Sequence, residues 1–156
     1  MQMRTPEEHR ERLHEMVKEA RAVMVLACTL CGAPEGRLMA LVQTDDDTTM
    51  YVATSLDRAQ ARELERGSRV TVVVPGGGLA VFAAEARISR DRRLVDALWT
   101  HEWNHWFRGK SDPSLAIVIL SPIEGSYWEG MDQHSYVYRV APAQREYGSN
   151  GIPVEV

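Results

Sequence analysis

The sequence predicts one domain of the α+β class, mainly β, in which an antiparallel barrel carries peripheral helices. Six or seven short segments are rich in aliphatic and β-branched residues and are separated by Gly, Pro and Asp turns. Three other segments have helical signals, but strands and helices do not alternate as in a doubly wound sheet. Because no repeat or linker divides the 156 residues, we expect a single domain over residues 1–156.

The first predicted element is an N-terminal helix over about residues 6–21. Thr5 offers a hydroxyl N-cap, Pro6 takes the first helical position, and Glu8 lies three residues after the cap. An apolar stripe then follows at helical spacing on an otherwise charged segment, formed by Leu13, Met16, Val17 and Ala20. This stripe predicts that one face of the helix packs on the barrel.

The barrel itself is predicted over about residues 22–140. Its first five strands are expected at 22–31, 37–43, 49–54, 68–74 and 79–89. A short helix is predicted between the third and fourth strands, with Asp57 and Gln60 in a capping box and Gly67 at its end.

A further amphipathic helix is predicted to begin near Asp91. After the polar loop RGKSDP come two separate predicted strands, LAIVILS and GSYWE, and a third candidate, SYVYRV. The tail, residues 141–156, has little apolar pattern and is predicted to be extended or disordered.

Composition and charge exclude several classes of protein. The net charge of −4 is spread over both halves, which argues against nucleic acid as a partner. No apolar run approaches the roughly 20 residues that cross a bilayer, and the charged N-terminus is unlike a secretory signal. We therefore expect a cytoplasmic protein without a membrane partner. Cys28 and Cys31 fall in a predicted strand, where residues three apart face opposite sides, so they are not predicted to form a redox dithiol.

Residues 101–105, HEWNH, match the HExxH pattern of zinc hydrolases. If the helix from Asp91 continued to Trp106, His101 and His105 would share one face. A catalytic zinc needs a third protein ligand, however, and Arg108 and Ser111 stand where the extended motif has Gly and His. Glu124 and Glu129 belong to or adjoin predicted strands. The sequence thus predicts no metal site, and a zinc hydrolase is the least favoured alternative.

A more informative series surrounds HEWNH. It consists of Trp99, Trp106-Phe107, Asp112-Pro113 and Tyr127-Trp128, preceded upstream by RLM at 37–39 and YVATS at 51–55. This order resembles the general stress protein 26 branch of the pyridoxamine 5′-phosphate oxidase-like, FMN-binding split-barrel proteins. The resemblance extends from about Val23 to Glu129.

The resemblance implies a six-stranded antiparallel split β-barrel that forms a homodimer, with FMN at the subunit interface. Carried over by position, it implies cofactor contacts from Arg37, Leu38, Met39, Thr54, Ser55, Arg58, Gln60, Trp106 and Trp128. Independently of the family, a strand that ends in Thr54-Ser55 and leads into a capped helix suits an anion, and Arg58 adds a guanidinium. HEWNH is then expected at a helix end and loop beside the cleft.

The chain also departs from the family's pattern. Gln60 stands where relatives usually have a lysine that helps to neutralise the phosphate, and RLM replaces RPM. The resemblance implies an FMN-dependent oxidoreductase that acts on a small-molecule substrate or electron donor, without a nominated catalytic side chain. A non-enzymatic flavin-binding stress protein is the alternative. Another flavin, a deazaflavin, haem or no cofactor remain open.

Overall fold

The computed structural model describes residues 4–28, 34–56, 68–139, 146–147 and 153–154. The described chain contains helix α1 (Pro6–Glu19), strands β1 (Ala22–Cys28), β2 (Pro34–Thr44), β3 (Met50–Ser55), β4 (Ser68–Pro75) and β5 (Leu79–Ser89), helix α2 (Arg92–Leu98), a 3₁₀ helix (His101–His105), strands β6 (Leu115–Glu129) and β7 (Asp132–Val137), and the short strands β8 (Glu146–Tyr147) and β9 (Pro153–Val154).

Strands β1 to β6 form a closed barrel. The strand order is β3-β2-β1-β4-β5-β6-β7, every neighbouring pair is antiparallel, and an additional β3–β6 pairing closes the ring. Strand β7 extends the sheet beyond the ring, and β8 and β9 form a separate two-stranded sheet. The predicted mainly antiparallel, six-stranded split barrel is therefore confirmed.

The barrel interior is filled by alternate residues of its strands. On β4, for example, Val70, Val72 and Val74 are buried, whereas the residues between them are not. Helix α1 begins as predicted, since the Glu8 N–H donates to the Thr5 hydroxyl at 3.2 Å. It packs its predicted stripe into the same core, with Leu13, Met16 and Val17 buried.

A second apolar cluster lies on the outside of the barrel. Side chains of α2 and the 3₁₀ helix cover outward-facing residues of β6, and this cluster comprises Val95, Leu98, Trp103, Leu115, Ile117 and Ile119. Because β6 is covered on both faces here, every residue from Leu115 to Leu120 is buried. This outer cluster positions the segment that forms part of the candidate site.

Strand β6 corrects the prediction of two separate strands. It runs unbroken through Pro122, where the β5–β6 register shifts because Glu124 pairs with Ala83 and Pro122 with Ala84. Ile123 is therefore the extra residue of a β-bulge. Proline has no N–H to give to a ladder and is tolerated at bulges, so Pro122 does not end the strand.

Two other predictions concern residues that the structure does not describe, and the predicted end of β1 changes. The helix predicted after Asp57 lies outside the described residues, as does Cys31, whereas β1 ends at Cys28. No helix among the described segments is long and apolar enough to cross a membrane.

Candidate functional site

One pocket collects most of the residues that the sequence singled out. It has a volume of about 400 Å³ and lies where β1, β2 and β3 meet the 3₁₀ helix and the turn after it. This volume falls within the range of small-molecule sites. The pocket is lined by Ala22, Arg37, Leu38, Met39, Ala40, Ala53, Thr54, Ser55, Trp103, Trp106 and Phe107.

Three chain segments bring the predicted residues together. Six of the nine candidates line the pocket, namely Arg37, Leu38, Met39, Thr54, Ser55 and Trp106. Arg58 and Gln60 lie outside the described residues. Trp128 is not among the lining residues, since it lies near the far end of β6, paired with Leu79 and Gln133. In a single chain, Trp128 is therefore separate from this pocket.

The polar end of the pocket is formed by β2 and the end of β3. The Thr54 side chain is buried and Ser55 follows it, while the half-buried Arg37 lies on the neighbouring strand β2. Within the described part of the chain, Arg37 has no hydrogen bond or ion pair, so its guanidinium is available to a ligand. A guanidinium and hydroxyl groups that line the same pocket are suited to a phosphate or carboxylate group.

The opposite wall is aromatic and is anchored by Trp103. Trp103 is only 3% exposed and contacts Trp99 edge-on, with 5.3 Å between ring centroids. Its carbonyl accepts the N–H groups of Trp106 and Phe107 at 3.0 and 2.9 Å, which fixes the turn after the 3₁₀ helix. Trp106 itself is 66% exposed at the pocket, so an indole face is available to a planar ligand.

Asp112 holds the loop that follows this wall. One carboxylate oxygen accepts the Arg108 N–H at 3.0 Å, and the other accepts the N–H and hydroxyl of Ser114 at 2.9 and 2.8 Å. These hydrogen bonds, led by the one from the Arg108 backbone, lower the pKa of Asp112 below its ordinary value. The carboxylate is therefore ionised at neutral pH.

The structure removes the basis for a zinc helix at HEWNH. Helix α2 ends at Leu98, Trp99 and Thr100 adopt extended backbone angles, and residues 101–105 form a 3₁₀ helix. With three residues per turn, positions i and i+4 do not share a face, so the continuous helix on which the zinc interpretation depended is absent. Both histidines are exposed, and His101 Nδ1 lies 3.1 Å from Asn104 Nδ2. The described residues contain no cluster of three or more His, Cys, Asp or Glu suited to a metal.

Sequence reasoning missed five lining residues: Ala22, Ala40, Ala53, Trp103 and Phe107. The alanines carry no chemical signal of their own, because a small side chain at a pocket is indistinguishable in sequence from one in any strand. Trp103 and Phe107 lie beside Trp106 in sequence, so the density of aromatic residues around HEWNH was the available signal.

An apolar surface adjoins the pocket on the outside of β1 and β2. Since Val23 and Val25 face the core, the alternate residues of β1 face outward. Their partners across the ladder are apolar too, in the pairs Ala22–Ala40, Met24–Leu38 and Leu26–Gly36. We call these six residues the outer β1–β2 face. Leu38 is 62% exposed there, and Ala22, Leu38 and Ala40 also line the pocket.

Comparisons with known proteins agree with this architecture. Residues 8–146 match the sequence model of the family described as pyridoxamine 5′-phosphate oxidase like. General stress protein 26 of Bacillus subtilis (strain 168) is 30% identical over 103 residues, which cover 62% of this chain and 72% of that protein.

Two solved structures share the fold. A Clostridium acetobutylicum protein related to general stress protein 26, of the pyridoxinephosphate oxidase family, superimposes with a TM-score of 0.75 at 17% identity, covering 84% of this chain and 95% of its own. The general stress FMN/FAD binding protein of Xanthomonas citri gives a TM-score of 0.65 at 24% identity, covering 96% and 99%.

Proposed function

The chain belongs to the pyridoxamine 5′-phosphate oxidase-like family, in its general stress protein 26 branch, and from this premise we propose that its pocket binds FMN. The observation that carries the proposal is the convergence of separate segments. Six residues that the family resemblance implied, from β2, β3 and the turn after the 3₁₀ helix, line one pocket. The relative from Xanthomonas citri, which is an FMN/FAD binding protein, supports a flavin as the ligand class.

The lining residues fit the two chemically different parts of FMN. Arg37, Thr54 and Ser55 provide a guanidinium and two hydroxyls for the phosphate. The ring system requires a flat, largely apolar environment, and Trp106 and Leu38 provide exposed apolar surface of this kind. Both requirements are met within one pocket of about 400 Å³.

We further propose an oxidoreductase acting on a small molecule. FMN, when bound, supplies hydride or electron transfer. Arg37 is the only ionisable side chain among the described lining residues. In this proposal the described lining residues bind and orient the cofactor, and Trp103 and Phe107 restrict water.

The composition of the described lining also favours a second candidate function, that of a protein that holds flavin without turnover. A pocket whose described lining has no acid or base suits storage as well as catalysis. Anaerobic mixing with NADH or NADPH separates the two candidates: reduction of the bound flavin supports the enzyme, and flavin that neither donor reduces supports the binding protein.

We also propose a homodimer with the cofactor at its interface. The outer β1–β2 face presents six apolar residues side by side, where an outward strand surface normally carries polar side chains. This face is continuous with the pocket through Ala22, Leu38 and Ala40. A second copy seated there would cover the apolar surface and close the open side of the pocket.

An absorption spectrum of the purified protein, followed by titration with FMN, tests the proposed ligand. We expect a flavin spectrum, or quenching of flavin fluorescence as the apo-protein is added. Replacing Arg37 with Ala should weaken binding by about tenfold or more, because a charge-assisted phosphate contact is lost. The matched control is Arg69→Ala, which removes an exposed arginine of β4 outside the pocket. A colourless protein that does not quench FMN fluorescence would sink the proposal.

A further inference from the structure

The two walls of the pocket are not adjacent in sequence. The aromatic wall is formed by Trp103, Trp106 and Phe107, and Phe107 is its last residue. The part of the polar end formed by Thr54 and Ser55 is called the hydroxyl end, and Ser55 is its last residue. Each is held against β6: the hydroxyl end through the β3–β6 ladder, which reaches Ser55, and the aromatic wall through the outer cluster.

The loop before β6 joins the two walls further. Phe107 directly precedes the loop that contains Asp112, and Ser55 is followed by Leu56, which is hydrogen-bonded to the end of this loop. The hydrogen bonds of that loop show how the two walls are joined.

Asp112 is connected to the aromatic wall through Arg108. The Arg108 N–H, one residue after Phe107, donates to one carboxylate oxygen at 3.0 Å. Gly109 follows with a φ of 145°, a backbone conformation that favours glycine and turns the chain back towards Asp112. The Asp112 N–H then donates to the Gly109 carbonyl at 3.0 Å, which closes the turn.

Asp112 is connected to the hydroxyl end through Ser114. The other carboxylate oxygen accepts both the N–H and the hydroxyl of Ser114. The Ser114 carbonyl in turn accepts the N–H of Leu56 at 2.7 Å, and Leu56 directly follows Ser55. One carboxylate thus links residues that adjoin both walls.

Helix α2 braces this arrangement from behind. The Arg92 guanidinium donates to the carbonyls of Lys110 and Asp112 at 3.3 and 3.1 Å, which ties the loop to the first turn of α2. Asp112 and Ser114 are both half-buried, so water competes only partly with these bonds.

We propose that Asp112 is a positioning residue of the cofactor pocket, whose carboxylate fixes the spacing between the aromatic wall and the hydroxyl end. Its identity follows from the donors around it. Three donors converge on its two oxygens, whereas an asparagine amide would turn an NH₂ group towards either the Arg108 N–H or the two donors of Ser114. The nature of the ligand in this proposal rests on the proposed flavin binding.

The first arm of the test compares Asp112→Asn with Asp91→Asn. Asp91 is a matched control because its carboxylate also accepts a backbone N–H, that of Arg93 at 2.9 Å, but within α2 rather than from a residue that adjoins either wall. We expect Asp112→Asn to weaken FMN binding by about tenfold, and Asp91→Asn to leave it nearly unchanged because asparagine also caps helices. Equal FMN affinities in the two variants and the wild type would overturn the proposal.

The second arm needs no flavin. Amide hydrogen exchange measured by NMR on the apo-protein should be faster in Asp112→Asn at Arg108 and also at Leu56, which does not contact Asp112 itself. Amides in the core of β4 should exchange as in the wild type. Unchanged exchange at Leu56, or an equal acceleration in β4, would overturn the proposal, because the first shows no connection and the second a general loss of stability.

The two arms separate this proposal from the proposed function. If the wild-type protein binds no FMN, the proposed function fails, and the exchange rate of Leu56 still decides whether Asp112 joins the two walls.

Discussion

The barrel has two apolar outer surfaces among the residues that the structure describes, and the described chain covers only one of them. The outward residues of β6 lie beneath α2 and the 3₁₀ helix, so that Leu115 and Ile117 are fully buried. The outer β1–β2 face is equally apolar, yet Leu38 at its centre is 62% exposed. The pocket lies at the boundary between the two. The comparison is between a side of the site that the described chain covers itself and a side that the proposed second copy would cover.

The largest expected effect is on the covered side, at Trp103. Replacing Trp103 with Ala should lower the free energy of unfolding by about 3–5 kcal/mol, because a buried indole of the outer cluster is lost. Chemical denaturation measures this change. Trp106→Ala is the control, since Trp106 is mostly exposed and should have little effect on stability. Equal losses of unfolding free energy in the two variants would contradict the assignment of Trp103 as the buried anchor and of Trp106 as an exposed side chain.

Substitutions in the outer β1–β2 face should affect dimerisation rather than the stability of the folded monomer. Leu38→Lys places a charge in the centre of the outer β1–β2 face, and we expect the free energy of dimerisation to weaken by about 2 kcal/mol or more. Sedimentation velocity over a range of protein concentrations measures this effect. Ala83→Lys is the control, because Ala83 is exposed on β5, three strands away from the β2 strand that carries Leu38. A wild-type protein that sediments as a monomer, or a Leu38→Lys variant that still dimerises normally, would contradict the proposed interface.

Substitution of two glycines by alanine tests how tightly the interior and the outer β1–β2 face are packed. A Cβ at Gly125 would lie 2.7 Å from Phe82 Cε1 and 3.0 Å from Leu13 Cδ1, both in the packed core. Gly125→Ala should therefore cost about 1–3 kcal/mol of stability. A Cβ at Gly36 would meet the end of the Leu26 side chain at 2.6 Å, but Leu26 is only half-buried and can turn away.

We thus expect Gly36→Ala to cost less than about 1 kcal/mol in the monomer. Thermal unfolding of both variants at low protein concentration makes the comparison. A Gly36→Ala variant as unstable as Gly125→Ala would show that the outer β1–β2 face is already tightly packed within one chain.

The smallest effect is a pH dependence on the covered side. Burial, followed by the charge of Asp45, raises the pKa of Tyr51 above its ordinary value of 10.0, and Tyr51 packs against the outer cluster. A raised pKa means that the folded state retains the proton, so this contribution to stability is complete below pH 10 and is lost as the pH rises through the folded-state pKa.

Tyr51→Phe should therefore reduce the alkaline loss of stability, as followed by denaturant midpoints above pH 10. Burial likewise raises the pKa of Tyr138 to about 12, so Tyr138→Phe should remove a further part of the loss between pH 10 and about 12. Identical alkaline profiles in the wild type and Tyr51→Phe would show that folding does not raise the pKa of Tyr51.

Capping residues and apolar periodicity were enough to predict the presence of helices and strands. The ends of some of them depend on strand pairing and tertiary contacts, which the sequence does not show. The cap at Thr5 and the stripe beginning at Leu13 located α1 from sequence alone. Two separate strands were predicted before and after Pro122, yet one strand runs through it, because a bulge accommodates a residue without an N–H and only the pairing with β5 reveals the bulge. The HExxH spacing would have required a continuous helix, but residues 99–100 are extended and Trp103 after them is buried in the outer cluster.

The candidate site shows a similar division. Arg37, Thr54 and Trp106 could be predicted because they match a family pattern, and they converge on one pocket. The predicted contact of Trp128 stays a prediction, since in one chain this residue lies near the other end of β6. The outer β1–β2 face could not be predicted without the register, because a strand that is apolar on both faces looks the same in sequence whether its outer face is covered by a helix or left bare.

The closing of the barrel by β3 and β6 has a consequence for the order of folding. Hairpins β1–β2, β4–β5 and β6–β7 pair segments that are close in sequence, whereas Tyr51 of β3 must find Ile119 of β6. Pairings across long chain separations carry a higher loop-closure entropy and form slowly. During synthesis, β3 therefore leaves the ribosome long before its partner and has one unpaired edge until β6 arrives. We expect ring closure to be the late step of folding, and the nascent chain to be most prone to aggregation just before it.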